Sequence, residues 1–208
     1  VSAQMVLVDQ RPGSLLSMQL DQILAEMKNR GVALNDSEEI LKHLRDHTED
    51  YYSSFGANTL RGNRSKELAD HPQKLSQEAE KIFSSHLDEK TSGGVWPMPD
   101  TRPLLPFEHY LADPKDTMCF QNAMLASLLL QRLKIPHRFR TGSASFNKPS
   151  YEINGHTLIE LTDGRILDPT WNFLKSIKRD TKHPKWVKGD TWWWMPHDHY
   201  PFVVLDGE

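Results

Sequence analysis

A thiol nucleophile needs three parts: a sulfur that attacks, a base that handles its proton, and a group that holds the base in one tautomer. Cys119, His156 and Asp168 stand in that order along this chain. Cys119 is the sole cysteine, so neither an intrachain disulfide nor a cysteine-based zinc site competes for its sulfur. Each residue also has an ordinary reading. Cys119 could be a small buried hydrophobe, His156 a satisfied histidine, and Asp168, ahead of Pro169, a turn residue. It is their order, and the elements they sit on, that favour chemistry.

The spacing predicts a helix over residues 117–133. Cys119, Ala123, Ala126, Leu130 and Leu133 recur at steps of four and three and form a buried stripe. Asp116 or Thr117 can cap its start, and Pro136 stops it. Cys119 then lies in the first turn, where unpaired N–H groups and the helix dipole favour a thiolate. Strands are expected at 137–142, 157–161, 165–167 and 203–205. Alternation puts His156, Leu158 and Glu160 on one face, with Thr157, Ile159 and Leu161 on the other. Asp163-Gly164 makes a hairpin turn, which brings Asp168 back beside His156.

Three stretches resemble the transglutaminase-like superfamily of papain-like Cys-His-Asp enzymes. They are Thr117-Met118-Cys119 through Leu133-Lys134-Ile135-Pro136-His137-Arg138, then Gly155-His156-Thr157-Leu158-Ile159-Glu160, then Leu167-Asp168-Pro169-Thr170-Trp171. The resemblance covers about residues 116 to 173. Residue 158 is Leu where the family often has Trp, and residue 134 is Lys where Gly is common, which marks a distant branch. The resemblance implies that Cys119 forms a thioester with a carboxamide or peptide carbonyl, with His156 moving the proton and Asp168 fixing the imidazole. It also implies a peptide or protein substrate, no cofactor and no metal. The Cys119 N–H would supply one oxyanion donor. Trp96 and Gln121 are candidates for the second, each with an ordinary core or surface role as its other reading. Water or an amine could resolve the thioester, so protease, deamidase and amide-forming transferase stay open. The rivals are an NlpC-type cysteine peptidase, which commonly has a second His where this chain has Asp168, and a binding module that keeps the fold without catalysis.

The expected fold class is α+β: the nucleophile helix on a small antiparallel sheet, with an N-terminal helical layer. Leu16, Leu20, Ile23, Leu24 and Met27 share a helix face that Gly31 ends. A second helix begins near Asp36, Ser37 and Glu39 and runs through Ile40, Leu41 and Leu44. A loop over Gly56 to Gly62 and a third helix over residues 74–87 follow. Prolines and glycines between residues 91 and 114 predict an irregular crossing. The division is residues 1–100, mainly helical with a Pro/Gly-rich connector, and residues 101–208, the catalytic domain.

A net charge of -3 gives no case for nucleic acid or an anionic membrane as partner. No apolar run approaches the roughly 20 residues of a membrane span. No charged-then-apolar leader opens the sequence, although a first residue of Val leaves a processed start open. One lone thiol fits a reducing compartment, so a cytoplasmic setting is expected. His197 and His199 lack a third metal ligand at useful spacing. Trp192-Trp193-Trp194 should bury one or two rings and show the rest.

Overall fold

The computed structural model describes residues 6–54, 105–107, 119–146, 154–197 and 202–205. Three helices and ten strands lie among them, in an α+β arrangement. Helix α1 (Leu15–Asn29) starts where Ser14 Oγ accepts the Ser17 N–H at 3.0 Å, and it buries Leu16, Leu20, Ile23 and Met27. Helix α2 (Ser37–Ser54) starts with Asp36 Oδ1 accepting the Glu39 N–H, and it buries Ile40, Leu41, Leu44, Tyr51 and Tyr52. Both were legible from spacing. The loop expected at 56–62 and the helix expected at 74–87 lie outside the described residues.

Helix α3 (Cys119–Arg132) carries Cys119 at its described start. Asp116 and Thr117, the expected caps, lie outside the described residues. Nearly all of its middle is buried, not one stripe only. A helix apolar all round must be covered all round. Strands β3 and β4 cover one side, and α1 and α2 the other. Arg132 fastens it to α1 through Asp21 Oδ1 at 2.5 Å and Ser17 Oγ at 2.6 Å.

Strands β3 (His137–Ser145), β4 (Asn154–Leu161), β5 (Arg165–Asp168) and β6 (Phe173–Ser176) form one half of a seven-stranded antiparallel sheet. Strands β7 (Lys178–Arg179), β8 (Val187–Lys188) and β9 (Trp193–Pro196) form the rest, in the order β6-β5-β4-β3-β9-β8-β7. The two edge strands, β6 and β7, are separated in sequence by Ile177 alone. Consecutive Cα atoms are 3.8 Å apart, so a single residue can join two edges only if the sheet curls until they nearly meet. The sheet is therefore nearly closed. Its outer face gives Ile159, Leu161 and Leu167 to the core shared with the helices. Its inner face is filled by Leu158, Ile166, Phe173, Trp192 and Trp194. Trp192 and Trp194 are buried and Trp193 between them is half-buried, the alternation expected of that run.

A second sheet departs from the sequence reading. Strand β1 (Val6–Asp9), in a region read as mainly helical, pairs parallel with β10 (Phe202–Leu205) on one side. On the other it pairs parallel with β2 (Leu105–Pro106), in a stretch read as irregular. Four residues show too little alternation to announce a strand, and the partners lie about 100 and 200 residues further along the chain. Pro106 is tolerated because β2 is an edge strand. Among the described residues no helix is long and apolar enough to cross a membrane.

Candidate active site

The hairpin is the first positioning device. Gly164 takes a φ of +87° and its N–H reaches Leu161 O at 3.1 Å, so β5 folds back along β4. Ile159 then faces Leu167, which puts Asp168 level with Leu158 and lets its side chain reach His156 on the same face. His156 Nε2 and Asp168 Oδ2 stand 2.5 Å apart, both side chains buried. The other carboxylate oxygen, Oδ1, accepts the N–H groups of Thr170 and Trp171 at 2.9 and 3.1 Å. With both oxygens engaged, Asp168 cannot swing away from the ring. The turn expected at Asp168 is present, and the turn over 169–172 is what pins the carboxylate.

Helix α3 delivers the sulfur. Half-buried Cys119 places Sγ 3.9 Å from Gly155 O, with the His156 ring and the Thr157 N–H near enough to act on its titration. Asp168 occupies Nε2, so Nδ1 is the nitrogen left for the thiol. Burial pushes the Cys119 thiol up, but the His156 hydrogen bond and charge, with the Thr157 N–H, outweigh it and hold the thiol below its ordinary value. Burial likewise works against the imidazolium. The hydrogen bond to Asp168, then that to Cys119, and the charges of both carry His156 up to about 9. A lowered thiol beside a raised imidazole is the signature of a thiolate–imidazolium pair.

Two tryptophans hold the ring. Trp171 stacks on His156 with centroids 3.5 Å apart and planes 6° from parallel. Trp194 Nε1 donates to His156 O at 3.3 Å. That approach depends on Gly142, the residue opposite His156 on β3. A methyl there would run into Met195 O and stand 2.7 Å from the Trp194 ring.

One turn past Cys119, Asn122 is buried in the apolar middle of α3. Its Nδ2 donates to Glu49 Oε1 on α2 at 2.9 Å and to Thr170 Oγ1 at 3.2 Å, while its Oδ1 has no partner. Tyr52 on α2 donates its hydroxyl to the Gln121 carbonyl, and Asn172 donates to Arg45 O at 3.1 Å. Helix α2 thus grips both α3 and the turn that pins Asp168. The sequence reading assigned no role to Asn122, Glu49, Trp171 or Trp194. A lone Asn inside an apolar helical run was the one local signal available.

No protein-family model matches the chain, and neither does any curated protein or solved structure. What the site can do follows from its geometry. A thiolate at a helix start can attack an electrophilic carbon, and the imidazolium can protonate a departing group. The Cys119 N–H, at the described start of α3, is a candidate donor to a developing oxyanion. Gln121, a candidate for the second donor, is buried on α3, and Trp96 lies outside the described residues. His197 Nε2 meets Ser143 Oγ at 2.5 Å, while Asp198 and His199 lie outside the described residues. Among the described residues no three His, Cys, Asp or Glu side chains cluster to hold a metal.

Proposed function

We propose that this protein is a thiol-dependent acyl-transfer enzyme with a transglutaminase-like core, acting on a peptide or side-chain amide. The observation that carries the reading is the buried His156–Asp168 hydrogen bond beside the Cys119 thiol, with the thiol below and the imidazole above their ordinary pKa values. Attack of Cys119 Sγ on the amide carbon forms a C–S bond and places negative charge on the carbonyl oxygen, toward the start of α3. His156 Nδ1–H then protonates the leaving nitrogen as the C–N bond breaks, a contribution of about 10²–10⁴ in rate. The product is an amine and a Cys119 thioester. Water or a second amine, deprotonated by the now neutral His156, attacks that thioester and restores the thiol. Asp168 holds the ring throughout and is not itself protonated.

The test is intact-mass analysis after exposure to glutaminyl and peptidyl amides. The expected result is an adduct of acyl mass on the native protein, absent from Cys119→Ala, with loss of ammonia or an amine. A native protein that forms no adduct, and whose Cys119 alkylates with iodoacetamide no faster at pH 6.5 than a free peptide cysteine, would remove the reading.

A further inference from the structure

The stretch from Lys175 to Asp190 runs against the charge of the molecule. It holds six of the 25 Lys and Arg residues and two of the 28 Asp and Glu residues, four net positive charges in a chain of net -3. The other residues therefore carry seven net negative charges. Lys178, Arg179, Lys182, Lys185 and Lys188 are all exposed, and none meets a carboxylate among the described residues. Arginines elsewhere behave differently: Arg11, Arg132, Arg140 and Arg165 each hold one. The nearby acids are already engaged. Asp190 takes Lys175 at 2.9 Å. Asp180 receives Trp193 Nε1 and the N–H groups of Lys182 and His183, with the His183 ring 3.5 Å away.

A second feature points the same way. In the β7–β8 pair Lys178 stands directly opposite Lys188. Like charges facing each other across a strand pair destabilise it. Lys188 Nζ also lies 5.1 Å from the Trp193 ring, which fixes its side chain beside the strands. Two lysines facing each other across a strand pair, neither paired with a carboxylate among the described residues, form a seat for carboxylate.

We propose that the β7–β8 edge is a docking site for an acidic peptide segment of the substrate. Three observations favour a short peptide over a nucleic acid or a membrane. The cations are five lysines to one arginine, and Arg is the residue suited to bidentate phosphate contacts. No large apolar side chain is exposed on this stretch to enter a bilayer; the two exposed among the described residues are Met18 and Phe146. A duplex or membrane plane also meets the negative remainder of the surface, whereas a short segment feels charges within a screening length of about 8 Å.

Placement relative to Cys119 rests on the acyl-transfer reading. Across the sheet, three strand spacings, β4-β3-β9-β8, set β8 about 14 Å from the His156 strand, and a fourth sets β7 about 19 Å from it. An extended peptide covers these distances in about four to six residues. The acidic residues should therefore lie about four to six positions from the reacting carbonyl.

The experiment uses the Cys119→Ala protein, so that binding is read without turnover. Fluorescence anisotropy compares a labelled peptide of alternating Glu and Gly with its Gln counterpart, an oligothymidylate of equal charge, and phosphatidylserine vesicles. The Glu peptide is expected to bind at least about tenfold tighter than the Gln peptide. It should be released at about 0.5 M salt, where the screening length is about 4 Å. The Lys178→Gln/Lys188→Gln protein should lose most of that binding while unfolding at the same or a higher temperature. Lys182→Gln/Lys185→Gln, in the connection between the strands, should lose binding without touching the pair. Equal affinity for Glu and Gln peptides, full binding by both double variants, or tighter binding of oligothymidylate or vesicles would overturn the proposal. If the Glu peptide binds yet Cys119 forms no adduct in the native protein, the surface stands and the acyl-transfer reading falls. If adducts form and the Glu peptide does not bind, the chemistry stands and the docking surface falls.

Discussion

At His156 burial and charge pull in opposite directions, and Asp168 decides the outcome. The ring is buried, which alone would lower its pKa, yet it stands at about 9 rather than 6.5. Because the value is raised, the protonated form persists from acid pH up to about 9 and is lost above it. The acid needed for amine departure is therefore present at neutral pH. We predict that kcat/KM falls as pH rises through about 9, on a limb set by His156. Asp168→Asn removes the largest cause of the rise, so that limb should move toward 6.5, with a loss of about 10²–10⁴ at pH 8. A limb that stays near 9 in the variant would show that another group holds the ring. Trp171 acts on the same ring by contact. Its stack leaves the imidazole little freedom to tilt, and about 1 Å of misplacement can cost about a hundredfold. Trp171→Leu should therefore lower kcat by about ten- to a hundredfold with little change in KM, and Trp171→Phe should restore most of it. Steady-state kinetics on both variants, with equal losses, would mean that the stack is incidental.

Helices α1 and α3 end in the same way, with different residues. In each, a residue in the left-handed region follows the last turn, and the next N–H reaches back to the fifth carbonyl before it. Gly31 and Val32 do this after α1, and Lys134 and Ile135 after α3. Gly31 has a φ of +87° and Lys134 a φ of +56°. A side chain in that region costs about 1–2 kcal/mol, offset in part by the extra freedom of glycine when unfolded. Lys134→Gly should thus stabilise the protein by about 0.5–1 kcal/mol in urea unfolding, and an unchanged or lower midpoint would contradict it. Between the helices, Asn122 joins α2 to the Asp168 turn while leaving one acceptor unpaired. Asn122→Leu removes two hydrogen bonds, about 1 kcal/mol each, and also the cost of the orphaned oxygen. Stability should change by less than about 1 kcal/mol, while kcat falls because the turn loses its tether. Loss of stability with kcat retained would assign Asn122 to packing alone.

Across the whole molecule, one apolar cluster joins Val6, Leu20 and Leu44 to Leu129, Ile159 and Leu167. The helical layer and the elements that carry the candidate site share that core, and α3 is sandwiched between them. Strand β1 sits at the centre of its sheet, with β10 on one side and β2 on the other. A fragment starting at residue 101 would lose α1, α2 and β1 together, baring one side of α3. It should show no cooperative unfolding transition and should bind a dye for exposed apolar surface. Cooperative melting of that fragment, with Cys119 still fast toward iodoacetamide, would show that residues 101–208 stand alone.

Much of the site could be read along the chain because its cues are local. A helix stripe, a proline stop, an Asp-Gly turn and the order Cys119, His156, Asp168 each need only a few neighbouring residues. The same holds for α1, α2 and the flanking strands. Other features depend on residues far apart in sequence. The pairing of β1 with β10 and β2, the near-closure of the sheet around Ile177, and the stack of Trp171 on His156 exist only once distant segments meet. So do the grip of α2 on the Asp168 turn and the facing lysines of β7 and β8. Periodicity tells a residue which side of its own element it occupies. It does not tell it what stands on that side, because long-range contacts form by closing large loops and follow from how the whole core fits together.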